Sequence, residues 1–112
     1  MKNQAENIGE NLAVQISREF KTNDPRKIVK VLGVKVEEKE KGDFGELRIF
    51  SSYNDKRKTI TIYKDNQQQS EYLLAHELFH YFECERNLGQ KFKVLSESLA
   101  HSFAAKLLSN KK

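Results

Sequence analysis

The sequence predicts an α+β domain in which a small three-stranded sheet packs on helices. Apolar residues recur at helical spacing near both ends of the chain, over residues 5–21 and 94–109, which indicates an amphipathic helix in each region. Between them, residues 59–63 are β-branched or aromatic throughout, as is typical of a strand. With another long helix before the last one, the predicted order is α-α-β-β-β-α-α. We expect the sheet to be antiparallel.

The first helix is predicted over residues 5–21 because apolar side chains recur there every four residues. These are Ile8, Leu12, Ile16 and Phe20. Asp24 and Pro25 follow, and they supply a helix cap and a proline suited to the first helical position. The sequence therefore predicts a short second helix over residues 25–32 that ends at Gly33.

Three strands are predicted between the helices. Val34 and Val36 alternate with charged residues and predict the first strand, and Leu47 and Ile49 predict the second in the same way. The third strand is residues 59–63. A basic turn over residues 54–58 would join the second and third strands as a hairpin.

The two helices of the C-terminal half carry their apolar residues on one face. The helix predicted over residues 67–85 should turn three leucines toward the core: Leu73, Leu74 and Leu78. The helix predicted over residues 94–109 has apolar residues four apart: Leu95, Leu99, Phe103 and Leu107. We find no repeat and no linker, so residues 1–112 are expected to form a single domain.

The composition limits the cellular locations and the kinds of partner that we expect for the protein. Of 112 residues, 38% are hydrophobic and 32% are charged, and no apolar run is long enough to span a bilayer. The single cysteine, Cys84, excludes an internal disulfide, and the N-terminus has no apolar core of a secretory signal. We therefore expect a cytoplasmic protein without a membrane partner. The net charge of +4 is scattered, which makes direct nucleic-acid binding unlikely.

One motif stands out for its chemistry. His76, Glu77 and His80 form an H-E-x-x-H pattern, which zinc peptidases use to bind a metal ion and to activate a water molecule. On a helix the two histidines lie one turn apart and about 40° apart around the axis, so both rings can reach one ion. Glu77 lies at the edge of that face, where its carboxylate can reach a bound water without competing for the metal.

A catalytic zinc site needs a third protein ligand. Glu97, in the last predicted helix, follows His80 by 17 residues, which is enough for the chain to turn back and lay a second helix beside the first. His101 lies four residues further on and shares a face with Glu97. It would orient one of the metal-binding histidines or serve as a further donor.

Simpler interpretations of these residues remain open. The motif can be a solvated helix face, and Glu97 can be an exposed glutamate that the dipole of its helix favours. Cys84 lies one turn beyond His80 and could be a ligand, although a small buried or half-buried thiol is favoured. Tyr53 or Tyr63 could donate a hydrogen bond to a developing oxyanion from the side of the sheet.

Four segments in order resemble the ImmA/IrrE family, small cytoplasmic zincin-like metallopeptidases of bacteria and their mobile elements. Residues 24–36 resemble the opening segment of that family, and residues 58–63 resemble its hairpin strand. Residues 74–81 (Leu-Ala-His-Glu-Leu-Phe-His-Tyr) and residues 97–108 resemble its two site helices more specifically.

The resemblance implies a minimal zincin-like fold, with an H-E-x-x-H helix and a following helix that bears a glutamate. It implies Zn²⁺ bound by His76, His80 and Glu97, with Glu77 as the general base. Two positions depart from the family pattern. Phe79 stands where relatives carry glycine, which would crowd this face of the helix, and His101 replaces a short polar residue.

Three functions follow as hypotheses. The first is a zinc metallopeptidase that cleaves a cytoplasmic DNA-binding repressor or a similar regulator, the substrate class that the resemblance implies. The second is a zinc-binding regulatory module that binds a repressor or a toxin-like partner without cleaving it. The third is nucleic-acid binding through the basic residues 56–58, against which the scattered charge argues.

Overall fold

The computed structural model describes residues 4–40, 51–64, 67–86 and 96–109. These residues form four helices and three strands in the predicted order, which confirms the α+β class. The elements are α1 (Gln4–Phe20), α2 (Pro25–Leu32), β1 (Lys35–Glu40), β2 (Ser51–Asn54), β3 (Thr59–Lys64), α3 (Gln67–Glu85) and α4 (Ser96–Ser109). The predicted strand residues Leu47 and Ile49, and Leu95 of the predicted last helix, lie outside the described residues. None of the described helices is both long and apolar enough to cross a membrane.

Helix α2 begins and ends at the residues that the sequence indicates. An oxygen of the Asp24 side chain accepts a hydrogen bond from the Arg26 N–H at 3.0 Å, and Pro25 occupies the first turn. At the other end, Gly33 adopts a left-handed conformation with φ of 76°, which a residue without a Cβ atom adopts at little cost. The chain then turns directly into β1.

The sheet is mixed, so the prediction of an antiparallel sheet was wrong for one pair of strands. The strand order is β1-β3-β2, in which β2 is antiparallel to β3 and β1 is parallel to it. Lys35 donates its N–H to the carbonyl of Lys58 at 3.0 Å, which places the start of β1 beside the start of β3. Alternation of apolar and polar residues defines the faces of a strand but not its direction, and therefore the sequence could not reveal this pairing.

Helix α3 lies at the centre of the core. Leu74 and Leu78 are fully buried as predicted, whereas Leu73 is only partly buried. Phe79 and Phe82, on the same helix, pack against Phe103 of α4 with ring centroids 5.7 and 6.5 Å apart. These aromatic contacts join the two helices that carry the predicted site.

Helix α1 approaches α4 very closely at Gly9. A Cβ atom at this position would lie 1.9 Å from Oγ of Ser102 and 2.7 Å from the carbonyl oxygen of Leu99. Both distances are far below van der Waals contact, so the helix crossing requires glycine here. Since α4 carries Glu97 and His101, the α1–α4 contact helps to set the position of the site.

Ion pairs connect both ends of α3 to the rest of the domain. Near its N-terminal end, Glu71 accepts a hydrogen bond from Nε of Arg26 at 2.6 Å, and the same guanidinium contacts Glu38 of β1 at 3.0 Å. At its C-terminal end, Arg86 contacts Glu19 of α1 at 2.8 Å. Exposed pairs of this kind each contribute little to stability, and they link α3 to α1, α2 and β1.

Candidate metal centre

The three predicted metal ligands meet at one place. Their side chains offer donor atoms that all lie within 4.8 Å of one another: His76, His80 and Glu97. The two histidines come from successive turns of α3, and Glu97 comes from the first turn of α4. The folded chain thus brings together residues that are 21 positions apart in sequence.

The distances between donor atoms fit a single small cation. Nε2 of His76 lies 3.1 Å from Oε2 of Glu97, and Nε2 of His80 lies 3.3 Å from Oε1 of the same carboxylate. Nitrogen and oxygen donors bind zinc at about 2.0–2.2 Å in tetrahedral sites, which places neighbouring donors about 3.3–3.6 Å apart, close to the separations seen here. The same distances also fit direct hydrogen bonds between histidine and carboxylate, and therefore spacing alone does not decide between these alternatives.

The surroundings of His80 favour a cation. Its Nδ1 lies 3.1 Å from Oε1 of Glu83, while its Nε2 faces Glu97. A neutral imidazole has a single N–H, so it can donate to only one of these two carboxylates. If Nδ1 carries the proton and donates a hydrogen bond to Glu83, the lone pair on Nε2 faces the negatively charged carboxylate of Glu97. Only a second proton or a metal ion between Nε2 and this carboxylate makes that contact favourable. A histidine with a carboxylate behind it is also the usual form of a zinc ligand.

His76 has a different environment. Its side chain is 17% exposed, and among the described residues its buried Nδ1 has no hydrogen-bond partner. Its ring lies 5.1 Å from that of His80 and 6.1 Å from that of Tyr72. Contacts with neighbouring rings therefore orient His76, whereas the carboxylate of Glu83 orients His80.

Glu97 is the exposed member of the cluster. Its side chain is 78% exposed, compared with 17% and 18% for His76 and His80. An exposed glutamate in the first turn of a helix is also favoured by the helix dipole, as the simpler interpretation of the sequence held. The exposure leaves the cluster open to solvent on the side of α4.

Glu77, the predicted general base, lies deeper than the ligands. It is only 6% exposed, and its Oε2 accepts a hydrogen bond from Oγ of Ser51 at 2.6 Å. Ser51 is the first residue of β2, an edge strand of the described sheet. A residue of the sheet thus holds one oxygen of the Glu77 carboxylate in place.

Phe79 does not occupy the metal-binding face. It is fully buried, and its ring lies 5.7 Å from that of Phe103 and 5.7 Å, edge to face, from that of His80. The Phe79 side chain therefore fills space between α3 and α4. Phe79 thus faces the core and also contacts the ring of His80, and the effect of this side chain on the site stays a prediction.

His101 lies beside the cluster and contacts a residue that the sequence analysis did not single out. Its Nδ1 lies 2.5 Å from the hydroxyl of Tyr72, one turn before His76 on α3. The described contact is thus with a tyrosine, and not with one of the two predicted metal-binding histidines. Because Tyr72 pairs with His101 while His76 and His80 face Glu97, α3 and α4 run antiparallel.

The sequence also indicated Cys84 and Tyr53 as possible site residues, and the structure places both near Asp55. Cys84 is exposed, so the prediction of a buried or half-buried thiol was wrong. Partial desolvation, followed by the negative charges of Asp55 and Glu83, raises the pKa of this thiol, which disfavours the thiolate that would bind a metal. The Tyr53 hydroxyl donates to Asp55 at 3.3 Å, and partial burial is the main cause that raises its pKa to about 12.

Three residues around the site were missed from the sequence. Glu83 and Tyr72 lie on the same helix as the histidines, three residues after His80 and four before His76, so helical spacing could have indicated both. Ser51 reaches Glu77 only through the packing of the sheet on α3, and no local signal marks it.

Comparisons with protein-family models, with curated proteins and with solved structures found no match to this chain. The resemblance to the ImmA/IrrE family therefore rests on the four segments alone and stays a prediction.

Proposed function

We propose that this protein is a zinc-dependent metallopeptidase with a zincin-like site, which cleaves a regulatory protein such as a DNA-binding repressor in the cytoplasm. The observation that carries the proposal is the convergence of His76, His80 and Glu97, within 4.8 Å, from two helices. Two histidines and a carboxylate are the ligand set of several catalytic zinc sites. The H-E-x-x-H spacing and the place of Glu97 in the following helix point independently to the same three residues.

Each residue has a chemical role in this proposal. His76, His80 and Glu97 would hold the zinc ion, and Glu83 would orient His80 through Nδ1. When bound, zinc lowers the pKa of a coordinated water and polarises a substrate carbonyl. Glu77 would accept the proton of the attacking water and pass it to the leaving amine. Ser51 would fix the direction of the Glu77 carboxylate during both transfers.

The position of the edge strand β2 favours a peptide as the substrate. In the described sheet its partner is β3 on one side, and its first residue touches Glu77. An extended peptide that pairs with the free side of an edge strand gains backbone hydrogen bonds. Such pairing would bring a scissile bond close to Glu77.

The proposal is tested by the cleavage of a co-expressed repressor-type partner by the parent and by Glu77→Gln. Loss of a general base reduces turnover by about 10²–10⁴-fold, and zinc content should not change. Glu85→Gln, on the same helix but paired with Lys58 at the surface, serves as the matched control. If Glu77→Gln cleaves as fast as the parent, this mechanism is wrong.

One observation favours the alternative of a zinc-binding regulatory module without proteolysis. The Glu77 carboxylate is buried and bound to Ser51, so it can act as a structural acceptor between α3 and β2. In that case zinc would mainly hold α3 and α4 together, and the protein would bind a repressor or toxin-like partner. This alternative predicts that Glu77→Gln keeps its biological activity while His80→Ala does not fold.

A further inference from the structure

A tyrosine and a histidine form a pair next to the proposed metal ligands. The hydroxyl of Tyr72 lies 2.5 Å from Nδ1 of His101, and the ring of Tyr72 lies 6.1 Å from that of His76. Tyr72, His76 and His80 are spaced by four residues on α3, so they share one face of the helix. Glu97 and His101 are likewise one turn apart on α4. The pair thus extends the metal cluster by one turn along the same seam.

The pair is accessible from solvent and lies within electrostatic reach of the cluster. His101 is exposed and Tyr72 is partly buried. Partial burial, and then the negative charge of Glu97, raise the pKa of the Tyr72 phenol. Tyr72 therefore keeps its proton at neutral pH. Glu97 and His101, one turn apart on α4, are both exposed, so the pair and the proposed metal ligands open to solvent along the same helix.

Whichever way its internal hydrogen bond runs, the pair keeps a second donor that has no partner among the residues the structure describes. If Tyr72 donates its O–H to Nδ1, the neutral imidazole of His101 carries its proton on Nε2 and can donate it outward. If Nδ1 carries the proton and donates it to the tyrosine oxygen, the Tyr72 O–H is the outward donor. Two protons serve one internal hydrogen bond, so one always remains for a ligand.

We propose that Tyr72 and His101 act as one unit that donates a hydrogen bond to the carbonyl oxygen of the scissile peptide as this oxygen gains negative charge. The inference rests on the proposed peptidase function and assigns the oxyanion donor of that same site. No bond to either residue is formed or broken, and the shared proton stays within the pair. Donors aimed at a developing oxyanion stabilise the transition state more than the ground state.

The simpler interpretation is that the pair only joins α3 to α4. Both interpretations predict some loss of stability when the hydroxyl of Tyr72 is removed. The two interpretations make different predictions for anion binding. If the pair only links the helices, removing the hydroxyl should not change the affinity of the metal-loaded protein for an oxyanion. The test therefore uses acetohydroxamate, a small metal-binding oxyanion that needs no side-chain pocket.

The experiment titrates acetohydroxamate into Co²⁺-loaded protein and follows the visible absorption of the metal. The variants are Tyr72→Phe, His101→Asn and the double variant, with Tyr81→Phe as a control that removes a hydroxyl elsewhere on α3. Each single variant should retain metal binding and bind acetohydroxamate at least about tenfold more weakly, because each removes the internal hydrogen bond that aims the outward donor. This is the loss expected for a hydrogen bond to a charged group. The double variant should lose no more than the single variants, because the pair presents one proton. Tyr81→Phe should match the parent.

The outcomes separate this inference from the proposed function. Equal acetohydroxamate affinity in the parent and in Tyr72→Phe would overturn the donor role while leaving the metal site intact. Losses that add fully in the double variant would overturn the claim that the two residues act as one unit. A parent that binds Co²⁺ but not acetohydroxamate would also overturn the inference. A parent that binds no metal would overturn the proposed function and this inference together.

Discussion

Nδ1 of His80 lies 3.1 Å from Oε1 of Glu83, three residues further along α3, and both side chains are largely buried. This contact directs the other ring nitrogen of His80 toward Glu97. It also means that one helix supplies both a proposed ligand and the carboxylate that orients it.

Glu83→Gln should weaken zinc binding without unfolding the protein. The amide can still accept the Nδ1 hydrogen bond but lacks the charge that increases the basicity of the imidazole, and loss of such a partner costs about 10–100-fold in metal affinity. Competition with a chromophoric chelator measures this affinity. Glu85→Gln, two residues away and exposed, is the control and should bind zinc like the parent. Equal affinity in Glu83→Gln would show that Glu83 does not support the site.

Gly9→Ala should destabilise the domain. The new methyl group would lie 1.9 Å from Oγ of Ser102 and 2.7 Å from a backbone oxygen, so α1 and α4 must separate. Overpacking of this kind costs about 1–3 kcal/mol, sometimes more, and thermal unfolding measures it. Asn7→Ala, at an exposed position of the same helix, should leave the midpoint almost unchanged. If both variants unfold at the temperature of the parent, the close crossing described for α1 and α4 is wrong.

The turn between β2 and β3 gives a prediction about backbone conformation. Lys58 has φ of 49°, in the left-handed region, and its ammonium group pairs with Asp55 and Glu85. Lys58→Gly and Lys58→Ala both remove these ion pairs, but only glycine adopts this φ without cost. The glycine variant should therefore be more stable than the alanine variant by about 1 kcal/mol, as measured by urea denaturation. A more stable alanine variant would contradict this turn geometry.

Zinc should stabilise the folded chain, and chelation should reverse the effect. A ligand that binds only the folded state at about 100 times its Kd adds about 2.7 kcal/mol. The melting temperature of the parent should therefore rise with zinc and fall again with EDTA. His80→Ala should show no such response. A zinc response of equal size in both proteins would place the binding elsewhere.

The sequence predicted the elements of this fold better than their arrangement. The cap at Asp24, the glycine at Gly33 and the four-residue spacing of α1 are local signals, and the structure confirms the bounds that they predict to within one residue. The direction of β1 depends on how distant segments pair, which alternation does not encode. The helix crossing at Gly9 likewise depends on α4, which lies near the other end of the chain.

The candidate site shows the same division. The H-E-x-x-H spacing and the position of Glu97 sufficed to predict which side chains meet, because helix geometry and a helical hairpin determine their separation. The motif does not indicate that Phe79 is fully buried, because burial depends on how α3 packs against α4. Ser51 lies on a separate strand, and only the packing of the sheet on α3 brings it to Glu77.

Metal analysis of the purified protein, with Glu97→Ala beside the parent, tests the central claim most directly. Both proteins are dialysed against metal-free buffer after purification, and zinc per chain is determined by elemental mass spectrometry. The account predicts stoichiometric zinc in the parent and its loss in Glu97→Ala, because the variant keeps the two histidines of α3 but lacks the ligand from α4. No zinc in the parent, or the same zinc content in both proteins, would contradict it.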